Sequence, residues 1–440
     1  MNSEEKGTTG MTDHRRLRVL VCGASGLIGA VLCKRLEAQG HEVIRGVRRP
    51  ASARDVAMDF GTDTTIEQWL PRVQGMHVVI NAVGIIVETG TNRFEAVHHL
   101  APAALFRACA KAGVGRVIQI SALGADSGDT PYFRSKRAAD DVLRALPVQW
   151  QILYPSLVYA QDGDSAAMFR TLASLPVIPV PELGDARFQP VHIDDLVDTV
   201  VTVIAPAIPP GQCVEVVGAS RMSYRAMLDT YRQGMQLPAP RWATIPAPCM
   251  TMAAYVARCV PGSKLTPDTW RMLRRGCHGD AAPLTRLLGH RPRAIGTFIA
   301  PGEAECLRHR AVGAWRMPML RIVMALVWLA TALVTLFAYP LADSLALLGA
   351  VGLHGTPAIV TLYAAVFVDT AMAVGCLRYP SRRLWALQAA LVAGYSLIIA
   401  VALPQFLWHP FGPVLKNLPI LAILFILYAE QESWNTSPSR

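Results

Sequence analysis

The apolar positions of the chain change rhythm on the way from one end to the other. Arg18-Val19-Leu20-Val21-Cys22 is a short apolar run of strand character, and it leads into Gly23-Ala24-Ser25-Gly26-Leu27-Ile28-Gly29 and a helical stretch over 30–38. Further strand patterns fall at 41–48, 56–60, 77–81 and 116–120, with a long helical pattern at 94–112. Strands alternating with helices predict a parallel sheet covered on both faces. From about Ile322 charge nearly vanishes, and apolar runs occupy 322–338, 358–377 and 384–402. Each approaches the roughly 20 residues that cross a bilayer core of ~30 Å. A shorter run at 418–429 reaches that length only if 413–417 joins it. The stretch 341–351 holds Asp343 and is too short to span, which predicts a re-entrant or interfacial segment.

The predicted fold is an α/β Rossmann-type doubly wound parallel sheet with a small substrate lobe, followed by an all-α four-helix transmembrane bundle. The expected boundaries are a disordered leader at 1–15, a nucleotide-binding domain at 16–300 with its lobe at about 221–300, and a linker at 301–317. The bundle follows at 318–430, with helices at about 320–339, 357–377, 384–403 and 413–430, then a tail at 431–440. The polar start, Met1 to His14, lacks the apolar core of a cleaved signal peptide.

The formal charge of +10 does not indicate a nucleic-acid partner, because the arginines are scattered and lack interleaved aromatics. Several flank the apolar runs instead. Arg316 and Arg321 precede the first, and Arg378, Arg382 and Arg383 separate the second from the third, while the other loops carry only Lys416. Positive-inside bias then expects both termini and the Rossmann domain in the cytoplasm, in a multi-pass protein of a bacterial inner membrane with lipid as a partner. The nine cysteines form no C-x-x-C pair and no zinc-type spacing with histidine, so reduced thiols and no metal site are expected.

The glycine run has the spacing G-x-x-G-x-x-G between a strand and a helix. Glycines permit the tight turn and bring backbone N–H groups to a pyrophosphate at the helix N-terminus. Gly23, Ser25, Gly26, Leu27, Ile28 and Gly29 are therefore candidate cofactor contacts. The second strand ends in Arg48 where an acid would hold a ribose hydroxyl, which favours NADP(H) over NAD(H). Asp59 is a candidate for the adenine, and Asn81, Ala82, Val83 and Gly84 for the backbone passing under the cofactor.

Ser121 follows the 116–120 strand, and Tyr132-Phe133-Arg134-Ser135-Lys136 comes eleven residues later. On a helix, Lys136 lies on the same face as Tyr132. Its charge is expected to lower the phenol pKa from about 10, making Tyr132 an acid/base, with Ser121 hydrogen-bonding a substrate carbonyl or hydroxyl. These are the requirements of hydride transfer between nicotinamide and a carbonyl.

With these residues the chain resembles the short-chain dehydrogenase/reductase superfamily, in its extended and atypical branch related to nucleotide-sugar epimerases. It is also similar to the NAD(P)-binding accessory subunit of respiratory complex I. The segments carrying the resemblance are G-A-S-G-L-I-G (23–29), I-N-A-V-G (80–84), S-A-L-G-A (121–125), Y-F-R-S-K (132–136), Y-P-S-L-V-Y (154–159) and F-Q-P-V-H-I-D-D (188–195), spread over about 17–300. The resemblance implies that Lys136 also binds the ribose and that Tyr154, Pro155 and Ser156 line the cofactor. It implies a linking role for His192, Asp194 and Asp195. Many relatives carry Arg at the position of Tyr154 and Gly at that of Ala160, departures that tell against a sugar nucleotide as substrate. The resemblance fits an NADP-dependent oxidoreductase acting on an amphiphilic, lipid-soluble small molecule. The alternatives are a non-catalytic NADP(H)-binding assembly factor for a respiratory or quinone-related complex, and an epimerase or dehydratase on a lipid-linked sugar.

The stretch from about 315 to 430 resembles the DoxX-like family, through H-P-F-G-P-V-L-K-N-L-P (409–419) and Asp369 followed by Gly375. Because the family includes a subunit passing electrons from thiosulfate to quinone, the resemblance implies quinone as a candidate ligand. A carboxylate at membrane depth costs ~2.5–3.5 kcal/mol on insertion scales, so Asp369 should face the bundle or a polar cavity. It is a candidate for a quinone head group or a proton relay, or else a packing residue bonded to Gln388 or Tyr395.

Overall fold

Val19, Leu20, Val21 and Cys22 of β1 (Arg18–Cys22) are all fully enclosed. Such an unbroken apolar run fits a strand buried on both faces of a parallel sheet. The computed structural model describes residues 16–90, 92–259, 263–408, 412 and 414–435. It divides into two units, before and after Ala311/Val312.

In the first unit β1 is joined by β2 (Glu42–Val47), β3 (Asp55–Ala57), β4 (Val78–Asn81), β5 (Arg116–Ile120), β6 (Gln149–Pro155) and β7 (Gln212–Val216). The sheet is parallel throughout, in the order β3-β2-β1-β4-β5-β6-β7. The order reverses between β1 and β4, where doubly wound sheets open a ligand crevice at their carboxyl ends. α1 (Leu27–Ala38) packs Leu32 and Leu36 on one face of the sheet, with Leu196, Val200 and Val203. The other face is covered by Trp69, by Leu105 and Phe106 of α2 (Ala101–Ala112), and by Leu143 of α3 (Pro131–Arg144).

Several expected bounds shift. The strand expected at 56–60 is only Asp55–Ala57. The helix expected over 94–112 is interrupted, since Glu95–Leu100 form a π turn before α2 begins. The lobe is larger than 221–300, because its core joins Tyr159, Phe169 and Phe188 to Tyr224, Met227 and Tyr231. α4 (Ala247–Ala257) and α5 (Pro267–Arg275) also belong to this part of the chain.

The expected linker at 301–317 is not a linker. α6 (Ala304–Leu333) runs through it, and Ala304, Leu307 and Ala311 are buried in the lobe core. These three stand at i, i+3 and i+7, a helical stripe that the surrounding charges conceal.

The second unit continues α6 and adds α7 (Thr356–Arg378), α8 (Arg382–Ala402) and α9 (Asn417–Asn435). Three helical segments, Pro301–Ala338, Thr356–Arg378 and Arg382–Ala402, are long and apolar enough to cross a membrane, whereas the apolar part of α9, Asn417–Gln431, is shorter. The fourth helix begins at Asn417 rather than 413, and the tail expected from 431 is still helical to Asn435. Leu341–Ala350 is a separate short helix. Met324, Trp328, Cys376, Trp385, Leu424 and Leu427 form the core. Arg316 bonds Glu430 at 2.6 Å and the Arg382 guanidinium lies 4.2 Å over the Tyr428 ring, so both basic clusters lie at one end of this unit. The leader at 1–15, together with His409 to Phe411 and Pro413 of the 409–419 motif, lies outside the described residues.

Candidate functional site

The glycine turn is built by close approach. Gly23 has a φ of +80°, a backbone conformation open to glycine, and its N–H donates to the Gly46 carbonyl at 3.0 Å. A Cβ on Gly29 would stand 2.1 Å from the Gly23 carbonyl oxygen, so only glycine lets α1 sit on the turn. α1 starts from Gly26 with no side-chain cap and no acid in its first turn. Its leading N–H groups and positive dipole end are thus arranged for an anion.

A crevice of about 210 Å³ opens here, lined by Gly23, Ser25, Gly26, Arg48, Asp59, Ala82, Val83 and Gly84 among the residues expected from sequence. Met58, Phe60, Ile85, Asn92 and Val97 also line it and carried no signal in the sequence. Leu27, Ile28 and Gly29 do not line it, nor do Asn81, Lys136, Tyr154, Pro155 and Ser156. The buried Asn81 donates to Gln119 Oε1 at 2.8 Å and accepts from the Val83 N–H at 3.2 Å, so it shapes the 82–84 loop from behind. Ser156 donates to the Gln189 carbonyl at 2.6 Å. A glycine turn, uncapped helix N-terminus and exposed Arg48 fit a dinucleotide with its pyrophosphate at α1.

α3 starts at Pro131 behind the cap residue Thr130, which places Tyr132 in its first turn and Lys136 one turn on. The Lys136 ammonium donates to the carbonyls of Val83 and Ile120, each at 3.3 Å. Burial lowers its pKa to about 8, against the opposing pull of Asp140. The Tyr132 phenol is not lowered as expected. Burial raises it above the usual range, and the negative charge of Asp140 adds to the effect. Ser121 is also placed differently, since its hydroxyl donates to Asp140 Oδ2 at 2.5 Å. Burial pushes Asp140 up to about 6, while the Ser121 hydrogen bond and Lys136 oppose the shift.

His98, missed in the sequence, sits at the centre of this arrangement. The Ile85 N–H donates to Nε2 at 3.0 Å, which leaves the proton of the neutral ring on Nδ1, 3.1 Å from Ser135 Oγ. Ser135 donates in turn to the Tyr132 carbonyl at 2.9 Å. Burial, with the Lys136 charge second, holds His98 well below the usual imidazole range. Its ring meets Tyr132 edge-on at 5.3 Å and stacks on Phe94 at 5.3 Å.

A second cavity, of about 240 Å³, lies beyond. Leu123, Asp126, Ser127, Tyr154, Glu215, Arg275, Cys277 and His278 are among its lining residues. Tyr154, expected against the cofactor, is instead part of this wall, donating to Asp126 at 3.1 Å and accepting from Arg144 at 2.5 Å. Tyr132 is not among the residues lining either space; its ring meets His98, whose Nε2 accepts from the Ile85 N–H at the crevice. His192 and Asp195 are engaged elsewhere. His192 accepts from the Asp194 N–H at 3.3 Å, and Asp195 is fully buried and paired with Arg293.

In the second unit Asp369 is 6% exposed and has no hydrogen bond or ion pair among the described residues. Gln388, an expected partner, accepts from the Trp328 indole at 2.8 Å and contacts Cys376. Tyr395 remains within electrostatic range of Asp369.

Residues 23–173 match the NAD(P)H-binding family, and residues 325–425 the DoxX-like family. The chain thus joins an NAD(P)-binding Rossmann domain of the short-chain dehydrogenase and epimerase-like kind to a DoxX-like membrane domain. It is 29% identical over 212 residues to NADH dehydrogenase [ubiquinone] 1 alpha subcomplex subunit 9 of Arabidopsis thaliana, which covers 45% of this chain and 53% of that protein. It is 27% identical over 194 residues to the ceramide reductase of Caulobacter vibrioides, covering 42% and 59% respectively. These matches span little more than half the length of the curated relatives. A nucleoside-diphosphate-sugar epimerase of Staphylococcus aureus superposes with a TM-score of 0.53 at 15% identity, covering 64% of this chain and 99% of that one. The Bordetella bronchiseptica enzyme WbmG in complex with NAD gives 0.50 at 14% identity, covering 69% and 97%. At such identities the structures show a shared fold.

Proposed function

We propose that the protein is a membrane-anchored oxidoreductase transferring hydride between NADP(H) and a carbonyl or alcohol on an amphiphilic substrate. What supports this reading is Tyr132, half-buried one helical turn before Lys136, with no hydrogen bond to its hydroxyl among the described residues and its ring against His98, which bonds Ile85 of the nucleotide crevice. When bound, the nicotinamide supplies or accepts the hydride. Gly23, Gly26 and the leading N–H groups of α1 hold the pyrophosphate, and Arg48 favours a 2′-phosphate. Tyr132 donates a proton to the oxygen of a carbonyl under reduction, or takes it from an alcohol under oxidation. Burial keeps the phenol protonated in the free protein, so it starts the reductive direction with its proton in place. Lys136 restrains the phenolate by charge once substrate and cofactor fill the two spaces, and Ser121 reaches the substrate oxygen by exchanging its bond to Asp140. Tyr154, Pro155 and Ser156 support the substrate side.

The basic clusters at one end of the membrane unit support a cytoplasmic Rossmann domain in a bacterial inner membrane. A second reading, an NADP(H)-binding assembly factor of a respiratory complex, draws on the name of the Arabidopsis relative and on the engaged side chains of Ser121 and Lys136.

The test uses full-length protein in mild detergent. NADPH and NADH binding are measured by fluorescence, beside NADPH oxidation with aldehydes and short-chain quinones, for the wild type and Tyr132→Phe. Turnover that disappears in Tyr132→Phe while binding persists supports the enzyme. Tight binding without turnover by either protein favours the assembly factor, and failure to bind either nucleotide refutes both readings.

A further inference from the structure

The lobe presents an apolar helix that its own core leaves uncovered. α4 contains no charged residue, and of its eleven residues only Ala254 is buried. Met252, Tyr255 and Val256 are 71%, 59% and 65% exposed. They stand at i, i+3 and i+4, so they form one outward stripe opposite Ala254. A soluble protein rarely leaves such a stripe to water.

The charge around it is one-sided. Between Arg241 and Gly276 the sequence has six basic residues, Arg241, Arg258, Lys264, Arg271, Arg274 and Arg275, against the single acid Asp268. All six are exposed; Lys264 pairs with Asp164 and Arg271 with Asp268, while Arg241, Arg258, Arg274 and Arg275 have no ion pair among the described residues, and Arg258 follows the last turn of α4 directly. An apolar stripe closed by an arginine, in a segment of net basic sequence, is the composition of a helix lying in a lipid interface, with its apolar face among the acyl chains and its cations at anionic headgroups. The same polypeptide carries three helical segments long and apolar enough to cross a membrane.

We infer that α4 is a monotopic membrane-docking helix whose Met252, Tyr255 and Val256 insert into the interfacial layer of an anionic bilayer. The helix is coupled to the lobe's cavity, since the Trp270 indole of α5 donates to Thr251 Oγ1 at 3.0 Å, and α5 ends at Arg275, which lines the second cavity. Docking therefore brings the wall of that cavity to the lipid surface. The inference is independent of hydride transfer, and its test needs no turnover.

Full-length protein with Cys213, Cys249, Cys259 and Cys306 replaced by serine is given a single bimane label at Val256→Cys or, as control, at the exposed Lys111→Cys. Retained NADPH binding verifies the fold. Each is reconstituted in phosphatidylcholine/phosphatidylglycerol vesicles containing a lipid with a nitroxide on its acyl chain. Docking predicts severalfold stronger quenching at position 256 than at 111, reduced when Arg258→Glu is added. Equal weak quenching at the two positions overturns the inference. So does quenching at 256 by spin-labelled copies of the protein when the lipid nitroxide has no effect, which would make the stripe a contact between copies.

Discussion

Ser121 and Asp140 share a 2.5 Å hydrogen bond inside the domain, with Lys136 one helical turn before Asp140. The carboxylate therefore supports two side chains of the proposed chemistry at once. Asp140→Asn keeps an acceptor for Ser121, so stability should change by no more than about 1 kcal/mol, the net value of one hydrogen bond. It removes the charge that holds the Lys136 ammonium protonated. The pH at which NADPH binding weakens as Lys136 loses its proton should fall in this variant. Binding titrations between pH 6 and 9 read this directly, and an unshifted profile would refute the coupling.

Lys136 also makes stability depend on pH. Unfolded, a lysine amine titrates near 10.4. In the folded chain burial brings Lys136 to about 8. Between those values the unfolded chain holds a proton that the folded chain has released, so stability rises from about pH 8 to pH 10. Below pH 8 both states are protonated and the cost is complete. At ~1.4 kcal/mol per unit the rise amounts to roughly 3 kcal/mol, and Lys136→Met should lack it. Denaturant midpoints across this range, compared between the two proteins, measure the difference.

Gly29→Ala puts a methyl carbon where the Gly23 carbonyl already stands. Overpacking of this kind costs about 1–3 kcal/mol. Because the displaced atoms belong to the glycine turn, NADPH affinity should fall more than tenfold, as followed by fluorescence titration.

Arg48→Ala tests the preference for NADP(H). Loss of a charged hydrogen bond of about 1.5–3 kcal/mol should weaken NADPH binding by ~10- to 100-fold and leave NADH binding unaltered. Equal losses for both nucleotides would place Arg48 away from the 2′-position.

The membrane unit offers a contrast between two buried polar residues. Gln388→Leu strands the indole N–H of Trp328 and should cost about 1–3 kcal/mol. Asp369→Asn removes a carboxylate with no hydrogen bond among the described residues, so thermal stability in detergent should stay level or rise. A large loss would mean that the Asp369 carboxylate holds the bundle together.

The fold was legible where its causes are local. The apolar run of β1, the glycine spacing after it and the uncharged lengths of α7 and α8 each follow from nearby residues, and Gly23, Arg48, Asp59 and Gly84 line one crevice. Relationships set by tertiary packing were not legible. The i, i+4 spacing of Tyr132 and Lys136 puts them on one face, but the carbonyls of Val83 and Ile120 decide where the ammonium goes. Burial, which raises the Tyr132 phenol, depends on walls from His98 and Phe94 that are distant in sequence. The helical stripe of Ala304, Leu307 and Ala311 was hidden among charged neighbours, so a helix read as a linker.

The π turn at Glu95–Leu100 gives His98 its place. A π turn holds one residue more than the α turn it replaces. Removing a single residue there would let the segment close into an unbroken α-helix, and the residues within the turn would shift register by one place against Ile85 and Ser135. The imidazole would leave Ile85 and Ser135, although every side chain of the site would still be encoded. Chain length through this one turn is therefore as much a determinant of the site as residue identity, and homologues that differ here by one deletion should be sorted apart before their histidines are compared.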